Sequence, residues 1–434
     1  MNVALAKTET GRAVTSVFTV ARDRLPGSGK IADMRRQAFE AFERAGLPNR
    51  RIEEWKYTDL RALLREVLPL APAPDAAAIK RARAALKSVG VKGAIKFVLI
   101  DGIFVPELSD SAEAGVTVKA LREALEGGDS DLLATDATDA MISLNAAMAT
   151  DGVVISVADG ATLTQPLQII HVATASKVSA FTRSHLAIGK GARVTLVESF
   201  VAADGARAYQ ANDTVVLSIG DGAELSHVRV MADALDAANI TSGIFAVGAK
   251  AKYNFFNMTS GGALSRFQGF LTLNGEGSEL NVNGVNLLKG TQHGDTTLLV
   301  DHAVPNCTSR ELFRAVVDDR AHSVFQGRII VRPNAQKTDG KMMTRALLLS
   351  DEAEADNKPE LEIFADDVTC GHGATSGALD ESLLFYLRAR GLPEKEAQAL
   401  LIQAFVGEAI EGIANDDLRE AAMTAAQRWL EARA

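Results

Sequence analysis

Cysteine is nearly missing from this chain: its 434 residues include only Cys307 and Cys370. Two thiols 63 positions apart make neither a disulfide framework nor a CxxC zinc pattern. Their scarcity fits a reducing, cytoplasmic compartment. Excess positive charge is lacking too. A formal net charge of −9 argues against a nucleic-acid-binding surface, which is normally basic. No apolar run approaches the ~20 residues of a membrane helix. The opening MNVALAKTETGR has an acidic residue and no apolar core, unlike a signal peptide. Aromatics are 5%, few for the sugar-stacking platforms of a carbohydrate-active groove. What is abundant is hydrophobic residue, 47%, enough to bury a substantial core, and 434 residues suffice for two or three domains or one long repetitive one.

The N-terminal third reads as helices and short apolar runs. Met34, Ala38 and Phe42 fall four apart and predict a helix over 31–45, stopped by Gly46 and Pro48. In NRRIEEWKYTDL (49–60), Trp55 and Tyr57 read as packing residues of a small helical unit. Thr58 or Asp59 is placed to cap a helix reaching Leu64. Residues 75–87 form an Ala-rich helix. The GSGK at 27–30 lacks the preceding glycine and the following Ser or Thr of a phosphate loop, so it reads as a loop. Two apolar runs flank Asp101-Gly102, a strong hairpin signal. A helix over 118–125 and a loosely helical stretch over 131–149 follow.

From residue 151 strand-like runs alternate with small-residue turns. The turns begin at Gly160, Gly189, Gly220, Gly248 and Gly275, a recurrence of 27 to 31 residues. A regular period with strand content and no intervening helix indicates stacked repeats. A parallel β-helix fits best, with a sandwich or barrel as the alternative. Asn281, Asn283 and Asn286 could form an inward ladder as readily as a ligand site. His171, His185, His227, His293, His302 and His322 are scattered without metal-binding spacing and read as surface or satisfied core residues. A β-helix ends in unpaired strand edges. A second β-helical chain or the chain's own helical ends are therefore physically motivated partners for them.

The densest group of chemically able side chains follows: Asp366, Asp367, Cys370 and His372, with Gly371 and Gly373 allowing a sharp turn or a close approach. A thiol and an imidazole two residues apart suit a soft metal or an iron–sulfur species. The carboxylates could hold an imidazole protonated or cap a turn, and the turn is the favoured reading. Cys370 has the competing reading of a buried structural thiol, and Cys307 reads as structural.

These residues sit inside a set of blocks that strongly resembles the SufB/SufD family of iron–sulfur cluster assembly scaffolds. The blocks are SVFQGRIIV (323–331), AQKTD (335–339), LLLSDEA (347–353), KPELEIFADDV (358–368), CGHGAT (370–375) and LFYLRARG (384–391). The resemblance spans roughly 150–425. The segment at 49–60 and the near absence of cysteine favour the SufD branch. Two departures are Gly371, where serine is common, with an altered loop backbone expected, and Lys341-Met342-Met343 in place of a more polar run.

The resemblance implies a mainly β fold, a right-handed parallel β-helix core with helical N- and C-terminal parts. The expected division is a helical region over 1–90, a hairpin and connecting segment over 91–150, the β-helix over 151–377 and a helical domain over 378–434. It implies a non-catalytic scaffold in a complex with a SufB-like paralogue and a SufC-like ABC ATPase. His372 maps onto a family histidine at the SufB–SufD interface. It is the candidate metal-ligating or interface residue, with Cys370 beside it. No cofactor is expected to bind stably. A transient iron–sulfur cluster is expected at the complex interface, and flavin is left open. No nucleic acid and no membrane are expected as partners, and an exposed solenoid edge allows a homodimer of the isolated chain.

The C-terminal region reads as helices. Asp380 caps one that ends at Gly391, and Pro393 opens the next. Ala397, Leu400, Leu401, Ala404 and Phe405 make an apolar face. Leu418, Ala421, Ala422, Ala425 and Trp429 make another. The helices are expected to pack on each other and on the solenoid's end, and the resemblance adds docking of the ATPase. Leu384, Tyr386, Arg388, Arg390, Glu394 and Glu396 are the docking candidates. The competing readings are a SufB-like scaffold that carries the cluster itself and, from another class, a β-helical carbohydrate-active enzyme.

Overall fold

The computed structural model describes residues 9–64, 66–134 and 139–432, with side chains described from residue 14 onward. Its centre is a parallel β-solenoid of two facing sheets, one of ten strands and one of nine. From Leu167 to Gly377 the chain lays one strand in each sheet alternately. Each strand pairs in parallel with the strand one turn later, as Ser179 does with Gln210 and Gln210 with Ala238. Inward side chains at every second position build one long core that includes Leu196, Leu225, Phe255, Val282, Leu298 and Ile329.

The recurring turn glycines have a steric cause. A Cβ on Gly189, Gly220, Gly248 or Gly275 would come within 1.8 to 2.8 Å of the backbone of the preceding turn. The turns stack at main-chain contact, which only glycine permits. The 27-to-31-residue period in the sequence is the spacing of these contacts.

The N-terminal end is closed by antiparallel pieces. Strand Ile95–Ile100 turns through Asp101 and Gly102, both at positive φ, into Ile103–Phe104. Residues Val116–Ala120 form a strand that pairs antiparallel with Val153–Val157. The helix expected from 118 is shorter, Leu121–Glu126, because tertiary pairing claims the β-branched half of that run. Helices Lys30–Ala45 and Ala76–Val89 match their expected spans. The buried stripe of the first is Ile31, Arg35, Phe39 and Phe42, one position away from Met34 and Ala38.

Trp55 packs, but against the solenoid as well as its own unit. Its indole is buried beneath the Arg266 guanidinium, 3.7 Å away, and donates to Asp139 at 2.9 Å. Asp59 caps the helix Leu60–Leu63. Thr58 instead reaches into the solenoid, donating to Asp295 and sharing a hydrogen bond with His293. The segment is thus a clasp on the nine-stranded sheet.

The C-terminal helices Glu394–Ile410 and Asp416–Glu431 lie along the outer face of the ten-stranded sheet, on its flank rather than its end. Ile402, Val406, Ala409, Leu418, Ala422 and Trp429 cover Val197, Val228, Phe256, Val285, Val316 and Leu347. In the first helix the buried positions are Ala397, Ile402, Val406, Ala409 and Ile410, and Leu400 is exposed. Apolar residues also line its outer side, with Leu400 and Ala404 exposed, so periodicity alone does not mark the buried side. Among the described residues, no helix is long and apolar enough to cross a membrane.

Candidate functional site at the open end of the solenoid

The last turn is made by strands Glu354–Ile363 and Thr369–Gly377, the terminal strands of their sheets. Each has a neighbour on one side only, so each presents an unpaired edge. The block CGHGAT therefore lies in a strand, not in a loop. Gly371 is not in the left-handed region and a Cβ there meets open space, so the strand accepts a serine at that position. Gly373 is different: a Cβ would come 2.7 Å from the Met343 methyl carbon.

Register decides where the candidate residues point. His372 pairs with Met342, Met342 with Glu311, and Glu311 with Val282. Val282, Glu311 and Met342 are all buried in the interior. Cys370 continues a second inward row through Gly340, Ser309 and Leu280. His372 and Cys370 thus occupy inward positions on a turn that nothing covers. His372 is exposed and Cys370 half-buried. Burial pushes the Cys370 thiol up from its ordinary range, and the nearby Asp339 and Glu311 carboxylates add to this.

The interior behind them is polar. Glu311 is fully buried, and burial raises its pKa to about 8 against the weaker opposing pull of the nearby Ser309 hydroxyl. Ser309, on the neighbouring row, meets His302 at 3.0 Å. Across the mouth, Asn357 accepts from Thr344 at 2.8 Å and donates to Ser376 at 3.0 Å. Sequence reasoning missed Glu311. Its signal was a carboxylate at an inward position of an alternating strand.

Asp366 and Asp367 belong to the turn. Asp367 pairs with Lys337, its amide donates to Gln336, and its carbonyl accepts from the Lys337 amide. The asparagines form no inward ladder. Asn281 alternates with inward Leu280 and Val282 and donates to Asn254 at 2.9 Å, and Asn283 lies against Gly412 of the C-terminal helical region. Cys307 is buried, accepts from Ser278 at 3.2 Å, and reads as structural.

Exposed apolar residues follow on the last strands and on the helix after them. Ile363 and Phe364 are exposed where the nine-stranded sheet ends. Helix Glu381–Ala389, capped by Asp380, buries none of its residues and exposes Leu383, Phe385 and Tyr386. Arg390 stacks on Tyr386 and Arg388 pairs with Glu394 at 3.4 Å. Leu384 is half-buried, whereas Glu394 and Glu396 are exposed. The sequence reading passed over Leu383 and Phe385, which carry more of the exposed apolar surface than Leu384.

The chain is a two-sheet parallel solenoid that ends in open edges, with a thiol and an imidazole at its mouth. Family comparison gives its kind. Residues 171–405 match the SUF system FeS cluster assembly SufBD core domain, and residues 17–169 match the SufBD protein N-terminal region. The chain belongs to the SufBD family of iron–sulfur cluster assembly proteins. It is 31% identical to the iron–sulfur cluster assembly protein SufD of Escherichia coli, over 90% of this chain and 91% of that one. It is 29% identical to a SufBD family protein of Synechocystis over 88% and 87%, and 25% identical to SufD of Bacillus subtilis over 66% of each.

Proposed function

We propose that this chain is a SufD-like, non-catalytic scaffold subunit of a SufB–SufC–SufD complex that assembles iron–sulfur clusters. The observation that carries the reading is the uncovered last turn. Its two unpaired edges invite β-augmentation by a like solenoid, and His372 and Cys370 stand on its inward rows. A SufB-like paralogue set edge to edge would enclose these two residues at the joint. Iron and sulfur are the cargo there, held transiently by His372 with donors from the partner. A thiol pushed up by burial is a poor ligand until its proton is removed, so Cys370 is the auxiliary donor.

The exposed helix Glu381–Ala389 suits a second partner, a SufC-like ATPase. Its apolar residues Leu383, Phe385 and Tyr386 make a compact anchor, with Arg388, Arg390, Glu394 and Glu396 as a polar rim. ATP hydrolysis belongs to that partner and would act on the scaffold through this contact.

Co-purification tests the reading. The tagged chain is expressed with untagged SufB-like and SufC-like proteins and the eluted mass is measured. A stable assembly containing all three is expected. Elution of the tagged chain alone, or with no ATPase retained, would leave the family membership and remove the role.

A further inference from the structure

A second polar centre lies in the solenoid interior, near its other end. His171 comes from strand Leu167–Ala173 and Glu198 from Arg193–Ala202, neighbours in the ten-stranded sheet. Asp213 comes from Gln210–Ile219 in the facing sheet. Each offers a ligand atom, and the three atoms lie within 4.8 Å of one another. Glu198 and Asp213 are each 1% exposed.

The surroundings account for half of each carboxylate. Glu198 Oε2 accepts from His227 at 2.9 Å and faces Arg229 Nε at 3.4 Å. His227 is committed on its other nitrogen to Tyr253 at 3.0 Å. Asp213 Oδ1 accepts from Thr182. What remains is His171 Nε2, Glu198 Oε1 and Asp213 Oδ2, all buried and all without a hydrogen-bond partner. Buried polar atoms without partners are rare, and three of them on residues whose ligand atoms gather within 4.8 Å call for an occupant. Phe200 stacks on the His171 ring at 4.2 Å and fixes its plane.

We propose that His171, Glu198 and Asp213 bind a divalent first-row transition cation inside the solenoid. One imidazole nitrogen and two carboxylate oxygens make a borderline donor set, suited to zinc or ferrous iron rather than to a soft thiophilic ion. Tetrahedral donors around such an ion stand about 3.4 Å apart, so rotations of about an ångström close the set. The charge is suitable: two carboxylates and the Arg229 guanidinium leave one negative charge for the ion to meet. His227 and Arg229, bonded behind Glu198, are the groups that orient it. A cleft lined by Asp101, Gly102, Ala180, Tyr209 and Asp233 reaches His171 and Asp213 from outside. The site is six to seven strand spacings from His372, roughly 29 to 34 Å, and stands independently of the proposed role in cluster assembly.

The test uses the full chain alone, stripped with chelator and titrated with Zn²⁺. The wild type is expected to bind about one equivalent at this site and to gain thermal stability as Zn²⁺ is added. Asp213→Asn and His171→Phe should each weaken that binding by roughly tenfold or more. X-ray absorption of the loaded wild type should show nitrogen and oxygen donors with no sulfur, a readout that needs no variant. Absence of binding would overturn the proposal and leave a shared proton between the two carboxylates as the occupant. Unchanged binding in Asp213→Asn, or a sulfur donor in the spectrum, would overturn it equally.

Discussion

At the scale of the residue, Glu311 is the side chain with the sharpest consequence. It is a fully buried acid two strands behind His372, and burial lifts its pKa from 4.5 to about 8. The folded state thus holds a proton that the unfolded chain releases near pH 4.5. Stability from this group is fully present below that pH, declines as pH rises toward 8, and is level above it. Glu311→Gln should remove the decline and raise stability at pH 8 by on the order of 4 kcal/mol. Urea unfolding of both proteins at pH 5 and pH 8 measures it, and parallel pH profiles would contradict it. His372, by contrast, is exposed and should have no structural role. His372→Ala should leave the melting temperature and the complex intact while cluster formation falls. A full cluster yield would take His372 out of the mechanism.

At the scale of the element, two pieces make separable predictions. Trp55 is 1% exposed between Arg266 and the N-terminal helices. Trp55→Ala should destabilise the protein by about 3–5 kcal/mol, the range for losing a buried indole, seen as a lowered urea midpoint. Helix Glu381–Ala389 has nothing to lose on folding, since Leu383 and Phe385 are 51% and 74% exposed. Leu383→Asp with Phe385→Asp should therefore leave the melting temperature alone and abolish retention of the ATPase on the tagged chain. Retention at the wild-type level would move the docking surface elsewhere.

Elements differ in how far the sequence disclosed them. The turn glycines were legible because at Gly189, Gly220, Gly248 and Gly275 main-chain contact between turns leaves no room for a Cβ, so that part of the period is written in one residue type. The cap at Asp59 and the Asp101-Gly102 hairpin were legible for the same local reason. The strand Val116–Ala120 was not, because its partner Val153–Val157 is distant in the chain. The buried side of Glu394–Ile410 was hidden because apolar residues such as Leu400 and Ala404 also lie on its exposed side. At the mouth, Cys370 and His372 stood out by type. Their common inward direction did not, because it follows from pairing across Met342, Glu311 and Ser309. Glu311 went unnoticed for that reason, and the centre at His171, Glu198 and Asp213 joins two sheets that no periodicity aligns.

At the scale of the whole molecule, the solenoid is finished at one end and unfinished at the other. The N-terminal end is closed by antiparallel strands, whereas Ile363 and Phe364 are exposed beside two free edges. An isolated chain should self-associate there. Its mass in solution should rise with concentration, and Ile363→Lys with Phe364→Lys should hold it monomeric. Sedimentation at two concentrations decides this, and a wild type that stays monomeric at both would show that a partner's chemistry is needed beyond exposed edges.

The two C-terminal helices run across strands from Val197 to Leu347, six consecutive rungs of one sheet. Stacked repeats hold only their neighbours, so an uncapped array tends to fray from its free end, rung by rung. A strap glued to six rungs at once forbids that. The end that must stay bare for a partner is kept from unravelling by a splint fastened along its side.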